Sequence, residues 1–421
     1  MTAEVKVAWW REPTRTQWYA FVAAWLGWTL DAFDFTIFLL IMVPISQEFG
    51  VPLTAVTMVF AATLWLRLVG ATAAGWLADR VGRKNPLIIS ILWYSVCNAV
   101  AGLSPSFGFL LFWRALLGIG MGAEWATGAV LAMESWPPRS RGFMSGILHG
   151  SWGIGFALSA TAYALLFDHV GWRGLLIIGV FPALACVWIR FYVQEPDVWS
   201  DNKRRQDETR QRPDMPLRTI FSARLRGNTI SACFWVASGF CAYYSTWALF
   251  QTYLRTQLNW TPRQIWWPLF WANIIVVVGS AIWGYVADIW GRRPAIIIPA
   301  GIAFFLTPLY LLPVNFYVVT TFFVLQGLFG GSIYSQNPSY LSERFPTDVR
   351  ATASGFVFHQ GTIVGGLMVP VLTYFAVDRH CGFAIPMLVG TMVSLTLVII
   401  AVSRGPETKG KALTAVVQGP L

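Results

Sequence analysis

Long apolar segments, separated by short polar ones, run the whole length of this 421-residue chain. Most hold about 20 largely apolar residues, the length that a helix needs to cross the hydrocarbon core of a bilayer. The pattern predicts an all-α membrane protein with twelve transmembrane helices, numbered here as spans 1 to 12 in chain order. The predicted spans cover residues 18–45, 53–77, 86–104, 107–133, 142–167, 173–194, 228–254, 264–287, 295–312, 315–341, 351–376 and 383–403.

The composition fits a polytopic membrane protein. Hydrophobic residues make up 56% of the chain and charged residues 12%, whereas about 25% of residues are charged in a soluble domain. The 23 tryptophans fit the aromatic belts that mark both membrane interfaces. No small-residue cleavage site follows the first apolar segment, so we expect span 1 to be a helix of the mature protein and not a signal peptide.

Positive charge falls mostly on one side of this map. The 30 Lys and Arg residues concentrate in the termini and in the loops after even-numbered spans, while the opposite loops hold Arg173, Arg255, Arg263 and Arg379. Because positive charge favours the cytoplasmic side, we expect a protein of the inner membrane with both termini in the cytoplasm. This topology accounts for the net charge of +10, so the bilayer is an expected partner and nucleic acid is not.

The chain divides into two similar halves. Its most polar stretch, residues 195–226, separates six spans from six and has the charges and prolines of a solvated linker. We predict an N-terminal six-helix bundle at 1–194, a cytoplasmic linker at 195–226 and a C-terminal six-helix bundle at 227–421. An offset of 209 residues aligns "GWLADRVGRKNPLII" (75–89) with "GYVADIWGRRPAIII" (284–298). Two such halves, with a substrate held between them, are a common plan of membrane transporters.

The segments "GWLADRVGRK" (75–84) and "GYVADIWGRR" (284–293) resemble the signature between helices 2–3 and 8–9 of the major facilitator superfamily, and "RALLGIGMG" (114–122) resembles its helix-4 signature. The resemblance covers nearly the whole chain and implies two six-helix bundles that rock to give alternating access. Asp79 can pair with cations or with the N-terminal dipole of another helix, as a conformational gate requires. The predicted gating residues are Gly75, Asp79, Gly82, Arg83, Lys84, Glu134, Asp288, Arg292, Arg293 and Glu343.

Five charged residues lie clearly within the predicted spans, all in the first half: Asp31, Asp34, Arg67, Arg114 and Glu124. A charge at the bilayer centre costs at least ~2.5–3.5 kcal/mol, which favours a function for these groups. Asp31 and Asp34 share a helix face, and two close carboxylates do not both ionise easily, whereas an arginine favours their ionisation. We therefore predict proton coupling at Asp31, Asp34 and Glu124. Arg67 and Arg114 are predicted to bind a substrate carboxylate, with a structural role as the alternative.

The second half offers uncharged polar groups instead. Within spans 7 and 10 the candidates for a polar substrate cavity are Tyr243, Tyr244, Gln251, Gln336 and Asn337. His149 and His359 lie early in spans 5 and 11, at almost equivalent repeat positions. A packing or hydrogen-bonding role is the alternative to a proton relay for both histidines, and His359 is added to the predicted substrate-binding residues.

Other classes of function are less well supported by the sequence. It has no phosphate-binding G-x-x-x-x-G-K-[ST] motif, so we expect transport driven by an ion gradient or by the substrate's own gradient, without a cofactor. A transport-like membrane sensor should carry a large soluble extension, and a membrane-embedded enzyme should carry a nucleophile–base pair or a metal cluster. None of these features stands out along the chain.

Three further segments, "QWYAFVAAWLGWTLDAFDF" (17–35), "GIGMGAEWATG" (118–128) and "ESWPPRSRG" (134–142), together resemble the sialate:proton symporter branch of the superfamily. The resemblance implies proton-coupled uptake of a small organic anion, such as sialic acid or a smaller monocarboxylate, by a monomer. Sialic acid transporters of this branch carry extra spans between the halves, where this chain has only its linker. An aromatic acid:proton symporter of the same superfamily is the alternative, because similar span 1 sequences occur there.

Overall fold

The computed structural model describes residues 10–181, 188–189, 191–209, 216–377, 379–411 and 413, and this part of the chain is helical, without a strand. The helices are α1 (Arg15–Phe49), α2 (Leu53–Val81), α3 (Lys84–Gly102), α4 (Phe107–Ser135), α5 (Arg141–Ile178), α6 (Asp197–Thr209), α7 (Pro216–Ile220), α8 (Arg226–Tyr243), α9 (Leu249–Thr256), α10 (Pro262–Trp290), α11 (Arg292–Leu311), α12 (Phe316–Gln326), α13 (Asn337–Arg344), α14 (Arg350–Gly366), α15 (Met368–Val377) and α16 (Ala384–Ser403). Two π turns interrupt this series at Tyr244–Ala248 and Gly327–Gly331.

Most predicted spans correspond to long apolar helices. Within the described residues, nine helical runs are long and apolar enough to cross a membrane, and they match spans 1–4 and 8–12. α5 contains span 5 and the first residues of span 6, and it bends at Gly171, where φ is 64°. Span 7 is divided between α8 and α9 by the first π turn. Residues 182–187 and 190 of span 6 lie outside the described residues.

Several helices begin where the sequence supplies a cap. The side chains of Thr14 and Thr261 each accept a hydrogen bond from the backbone of a glutamine three residues on, Gln17 or Gln264. Each glutamine side chain bonds back to the backbone of its threonine. This reciprocal arrangement satisfies two groups that a helix start otherwise leaves unpaired.

The helix bounds repeat between the two halves. α2 and α10 both contain 29 residues, and each bound of α10 lies 209 residues after the corresponding bound of α2. The same offset relates the starts of α4 and α12, and those of α5 and α14. The offset found in the sequence is therefore also the offset of the helical framework.

Glycines allow α2 and α4 to pack backbone against backbone. A Cβ added at Gly118 would lie 2.2 Å from the carbonyl oxygen of Thr63, and one at Gly122 would lie 2.0 Å from that of Arg67. On the opposite helix, a Cβ at Gly70 would lie 1.9 Å from the carbonyl oxygen of Ile119. Small residues permit such close helix approach, and here it fixes the backbone of Arg67.

Within the described residues, two helix pairs make the most extensive contacts between the halves. α2 packs on α14, where a Cβ at Gly75 would lie 2.7 Å from the Cα of Thr352. α5 packs on α10, where a Cβ at Gly146 would lie 2.0 Å from the carbonyl oxygen of Ser280. The two pairs are equivalent under the repeat, so the interface between the halves is pseudo-symmetric.

Candidate functional site

A cavity lies between the two halves, and its empty space, counted together with the solvent at its mouth, is about 790 Å³. The residues that line it are Trp28, Phe35, Leu64, Arg67, His149, Trp152 and Gly153 from the first half, and Phe240, Tyr243, Tyr244, Trp247, Asn273, Val276, Gly331, Tyr334, Asn337, Phe358 and Thr362 from the second. Arg67 is the charged residue of this lining.

Arg67 connects the cavity to Asp31. Its Nη2 donates hydrogen bonds to both carboxylate oxygens of Asp31, at 3.0 and 3.2 Å, and the two side chains are 3% and 0% exposed. The guanidinium carbon lies 4.8 Å from the centre of the Phe35 ring, and Nη2 also contacts the sulfur of Met121 at 3.1 Å. The buried Arg67 Nε has no hydrogen-bond partner among the described residues.

Asp34 belongs to a second polar chain, which does not line the cavity. Asn98 Nδ2 donates to one oxygen of Asp34 at 3.0 Å, and Arg114 Nη1 donates to Asn98 Oδ1 at 2.9 Å. The guanidinium of Arg114 lies over the Phe38 ring, 4.3 Å from its centre. Asn98 thus links a carboxylate and a guanidinium that the sequence did not pair with each other. A lone amide within an apolar span was the signal for it.

Glu124 lies beside the first pair of charges. It is 1% exposed, and it interacts electrostatically with Asp31 and Arg67. A Cβ added at Gly27 would lie 2.7 Å from its Oε1, and one at Gly128 would lie 2.9 Å from the same atom. Its Oε2 has no partner in the described part of the chain. The two glycines provide the space that this carboxylate occupies.

The predicted residues of the second half separate into two groups. Tyr243, Tyr244 and Asn337 line the cavity. Gln336 is buried behind it, where its amide donates to Ser335 at 3.1 Å. His359 is also buried behind the lining, with Nδ1 bonded to the Gly355 carbonyl at 3.0 Å.

Gln251 was predicted to bind substrate, but its side chain is exposed on α9 and does not line the cavity. In a regular helix Tyr244 and Gln251, seven residues apart, would share one face. The π turn Tyr244–Ala248 lies between them. Its wider turn rotates the following residues away from the face that an uninterrupted helix would present.

The sequence reasoning missed most of the aromatic lining. The first-half wall joins Trp28 to Trp152, with ring centres 4.9 Å apart, and Trp152 to Phe35 at 5.5 Å. On the second-half wall Phe240 meets Phe358 at 5.0 Å. One signal was present, because Trp28, Asp31 and Phe35 recur at helical spacing along span 1.

The predicted gating residues form two clusters at one end of the interface between the halves. In cluster 1, Asp79 of α2 accepts hydrogen bonds from the backbone N–H groups of Ala351 and Thr352 at 3.0 Å each, at the start of α14. Arg83 bonds Asp79 at 2.9 Å and Glu134 at 2.9 Å, and Arg350 bonds the same glutamate. The Asp79 carboxylate therefore pairs with a cation and also caps a helix of the other half.

Cluster 2 repeats this arrangement in the opposite direction. Asp288 of α10 accepts from the backbone of Gly142 at 2.8 Å and of Phe143 at 2.7 Å, at the start of α5. Arg292 bonds Asp288 at 2.7 Å and Glu343 at 2.8 Å. Each half thus caps a helix of the other, and the halves are closed against each other at this end.

Two glutamates that the sequence reasoning missed complete the clusters. Glu195 accepts from the backbone N–H groups of Arg83 and Lys84 at 2.7 and 3.0 Å. Glu407 accepts in the same way from Arg292 and Arg293 at 2.9 and 3.0 Å. Burial raises the pKa of Glu195, despite these bonds. For Glu407, burial acts in the same direction, but the backbone donors outweigh it and lower its pKa.

Gly82 and Gly291 are needed next to these glutamates. They end α2 and α10 with φ of 107° and 109°, values that L side chains rarely adopt. A Cβ at Gly82 would also lie 2.4 Å from the Glu195 carboxylate, and one at Gly291 would lie 2.7 Å from that of Glu407.

Within the described residues, no group of three or more His, Cys, Asp or Glu is arranged to hold a metal ion.

Comparison with known proteins agrees with this architecture. The profile described as "Major Facilitator Superfamily" matches residues 24–253 and 233–419. A protein of Cupriavidus pinatubonensis described as "Probable 4-methylmuconolactone transporter" is 28% identical over 417 residues, which cover 96% of this chain and 94% of the relative. The sialic acid transporter NanX of Escherichia coli is 26% identical over 414 residues, covering 96% and 97%.

Among solved structures, the proton:xylose symporter XylE superposes with a TM-score of 0.74 and 16% identity, covering 94% of this chain and 98% of XylE. At 16% sequence identity, this structural similarity establishes the fold alone. The resemblance to the superfamily and the twelve-helix fold class predicted from the sequence are thereby confirmed. The chain is a multi-pass membrane protein that acts as a transporter and not as an enzyme. Because the profile covers nearly all of the chain, the protein belongs to the major facilitator superfamily.

Proposed function

We propose that the protein is a secondary active transporter that takes up an organic carboxylate together with a proton. The observation that carries this proposal is the position of Arg67, which lines the cavity and is bonded to the buried carboxylate of Asp31. An arginine is well suited to bind a carboxylate, since its planar fork matches the two oxygens. The similarity to a sialic acid transporter supports an acidic substrate.

Asp31 and the substrate compete for Arg67 in this proposal. When Asp31 binds a proton, its hold on the guanidinium weakens and Arg67 becomes available to the substrate carboxylate. When the substrate leaves, Asp31 releases its proton and pairs with Arg67 again. Either way one carboxylate neutralises the guanidinium, which avoids a buried unpaired charge.

The other intramembrane acids support this exchange. Glu124, which interacts with Asp31 and Arg67, provides a second proton site next to the pair. Asp34 and Arg114 are linked through Asn98 away from the cavity, so we assign Asp34 to proton coupling and Arg114 to holding it in place. This assignment revises the substrate-binding role that the sequence suggested for Arg114.

The two clusters act as the gate. Each caps a helix of the other half when the halves close, and opening that end must break both sets of contacts. We propose that six-helix bundles at 1–194 and 227–421 rock about the cavity, with 195–226 as the cytoplasmic linker. In this topology a monomer in the inner membrane has both termini and both clusters on the cytoplasmic side.

Purified protein in proteoliposomes tests this function. Sialic acid, lactate and benzoate are each added outside vesicles without an imposed pH gradient, with xylose as the uncharged control. We expect at least one acid to alkalinise the outer medium as protons enter with it, and xylose to give no signal. Acid uptake with no proton movement would contradict the coupling, and movement of xylose alone would contradict the substrate class.

A further inference from the structure

The cavity offers hydrogen-bond donors at one place and aromatic rings elsewhere. Arg67 Nε and Trp28 Nε1 are both buried, and neither has a partner among the described residues. Their side chains are 3% and 4% exposed, and both line the cavity. Both atoms donate and neither accepts, so they suit an anion.

These two donors belong to one wall. Trp28 meets Trp152 at 4.9 Å between ring centres, Trp152 meets Phe35 at 5.5 Å, and the Arg67 guanidinium lies over Phe35 at 4.8 Å. Trp28 lies about one helical turn before Asp31, the partner of Arg67, so the two donors face the same part of the cavity. On the other side of the cavity, Tyr243 and Trp247 lie nearly parallel, with an interplanar angle of 19°.

Three other polar side chains of the lining already donate hydrogen bonds to backbone carbonyls, and most of the remaining lining is aromatic or aliphatic. Asn273 donates to the Leu269 carbonyl at 2.9 Å, and Thr362 donates to that of His359 at 2.8 Å. Tyr334 donates to the Gly239 carbonyl at 2.6 Å. A ligand with many hydroxyl groups would lose its hydration in this cavity and recover few hydrogen bonds, which costs binding free energy.

We propose that the substrate is a compact carboxylate with a flat aromatic or conjugated body, and that Trp28 Nε1 and Arg67 together bind its carboxylate. The flat body lies against the ring wall, where aromatic faces pack favourably. This inference rests on the proposed function and narrows its substrate class. A polyhydroxylated acid such as sialic acid is disfavoured by the same lining.

Calorimetry on the purified transporter, with four acids and one alcohol, tests the inference. Cyclohexanecarboxylate and quinate share a ring skeleton and differ in the hydroxyls of quinate, while benzoate supplies the flat ring. We expect benzoate to bind at least tenfold more tightly than quinate and sialic acid, with cyclohexanecarboxylate between them. Benzyl alcohol, which has the ring without the charge, should bind at least tenfold more weakly than benzoate.

Binding of quinate or sialic acid as tight as that of benzoate would overturn the inference, while the carboxylate transport proposed above would stand. Benzyl alcohol binding as tightly as benzoate would overturn both. Failure of all four acids to bind would also overturn the inference, and the proteoliposome assay would then decide the proposed function separately.

A matched pair of variants tests the role of Trp28. Trp28→Phe keeps a ring and removes the donor, so benzoate affinity should fall at least fivefold. Trp125→Phe is the control, since Trp125 is also buried with an unpartnered Nε1 and contacts Trp28 at 4.5 Å, but does not line the cavity. The affinity of the Trp125→Phe variant for benzoate should stay within twofold of the wild-type value. An equal loss in both variants would contradict a direct contact from Trp28.

Discussion

At the scale of single residues, buried charges are visible in the sequence but their partners are not. Asp31, Asp34, Arg67 and Arg114 stand out because their neighbours along the chain are apolar. The pairing depends on side-chain positions on three or four helices, so the sequence could not determine which arginine serves which acid. The structure pairs Arg67 with Asp31 directly and Arg114 with Asp34 through Asn98.

We predict that Asn98→Ala destabilises the protein by about 1–3 kcal/mol, because it leaves an acceptor and a donor unpaired in the interior. The thermal unfolding midpoint in detergent measures this. Ser95→Ala on the same helix is the control, since the buried Ser95 Oγ has no partner in the described structure. Equal midpoints for the two variants would contradict the bridging role of Asn98.

At the scale of elements, the sequence predicted the repeated helices well. The length of the apolar segments and the 209-residue offset between matching segments are both visible in the sequence, and together they locate the helices. The π turns at Tyr244–Ala248 and Gly327–Gly331 were not predicted, and nothing in their local composition announces the change of winding. Gln251 was misplaced for that reason.

Close packing of α2 on α4 gives a second prediction. Gly122→Ala would place a Cβ 2.0 Å from the Arg67 carbonyl oxygen, and relieving such a clash typically costs about 1–3 kcal/mol. The unfolding midpoint and the uptake rate should both fall. Gly108→Ala, also in α4 but with no atom within 4 Å of the added Cβ, should change neither. Similar losses in both variants would contradict the packing explanation, because alanine by itself favours a helix more than glycine does.

Glu195 and Glu407 make similar contacts and should respond to pH in opposite ways. The lowered pKa of Glu407 means that its carboxylate stabilises the fold above its ordinary pKa of 4.5, and that this contribution is lost as pH falls below it. The raised pKa of Glu195 means that its contribution is present below 4.5 and is lost as pH rises. The difference between the unfolding midpoints of the wild type and Glu407→Gln should increase with pH. The difference between the midpoints of the wild type and Glu195→Gln should decrease with pH. Parallel slopes would contradict the assignment.

At the scale of the whole molecule, the two halves exchange helix caps. Replacing either carboxylate with an amide removes a charge from a helix N-terminus, an interaction that contributes about 0.3–1 kcal/mol at exposed sites and more when buried. We predict that Asp79→Asn and Asp288→Asn shift the population toward states in which the two halves are separated at the end that holds the clusters. Spin labels at Val81 and Trp290, the exposed ends of α2 and α10, report the distance. Asp201→Asn, on the exposed face of α6, is the control, and distances that match it in both variants would contradict a gating role.

In the proposed function, the Asp31–Arg67 pair couples proton movement to substrate movement. The most direct test compares proton-driven accumulation with substrate exchange in proteoliposomes containing Asp31→Asn, using the acid that gives the strongest wild-type alkalinisation. We expect this variant to keep exchange and lose accumulation, because asparagine cannot carry the proton. Asp168→Asn, at an exposed position, should behave like the wild type. Uphill accumulation by Asp31→Asn at the wild-type level would contradict the account.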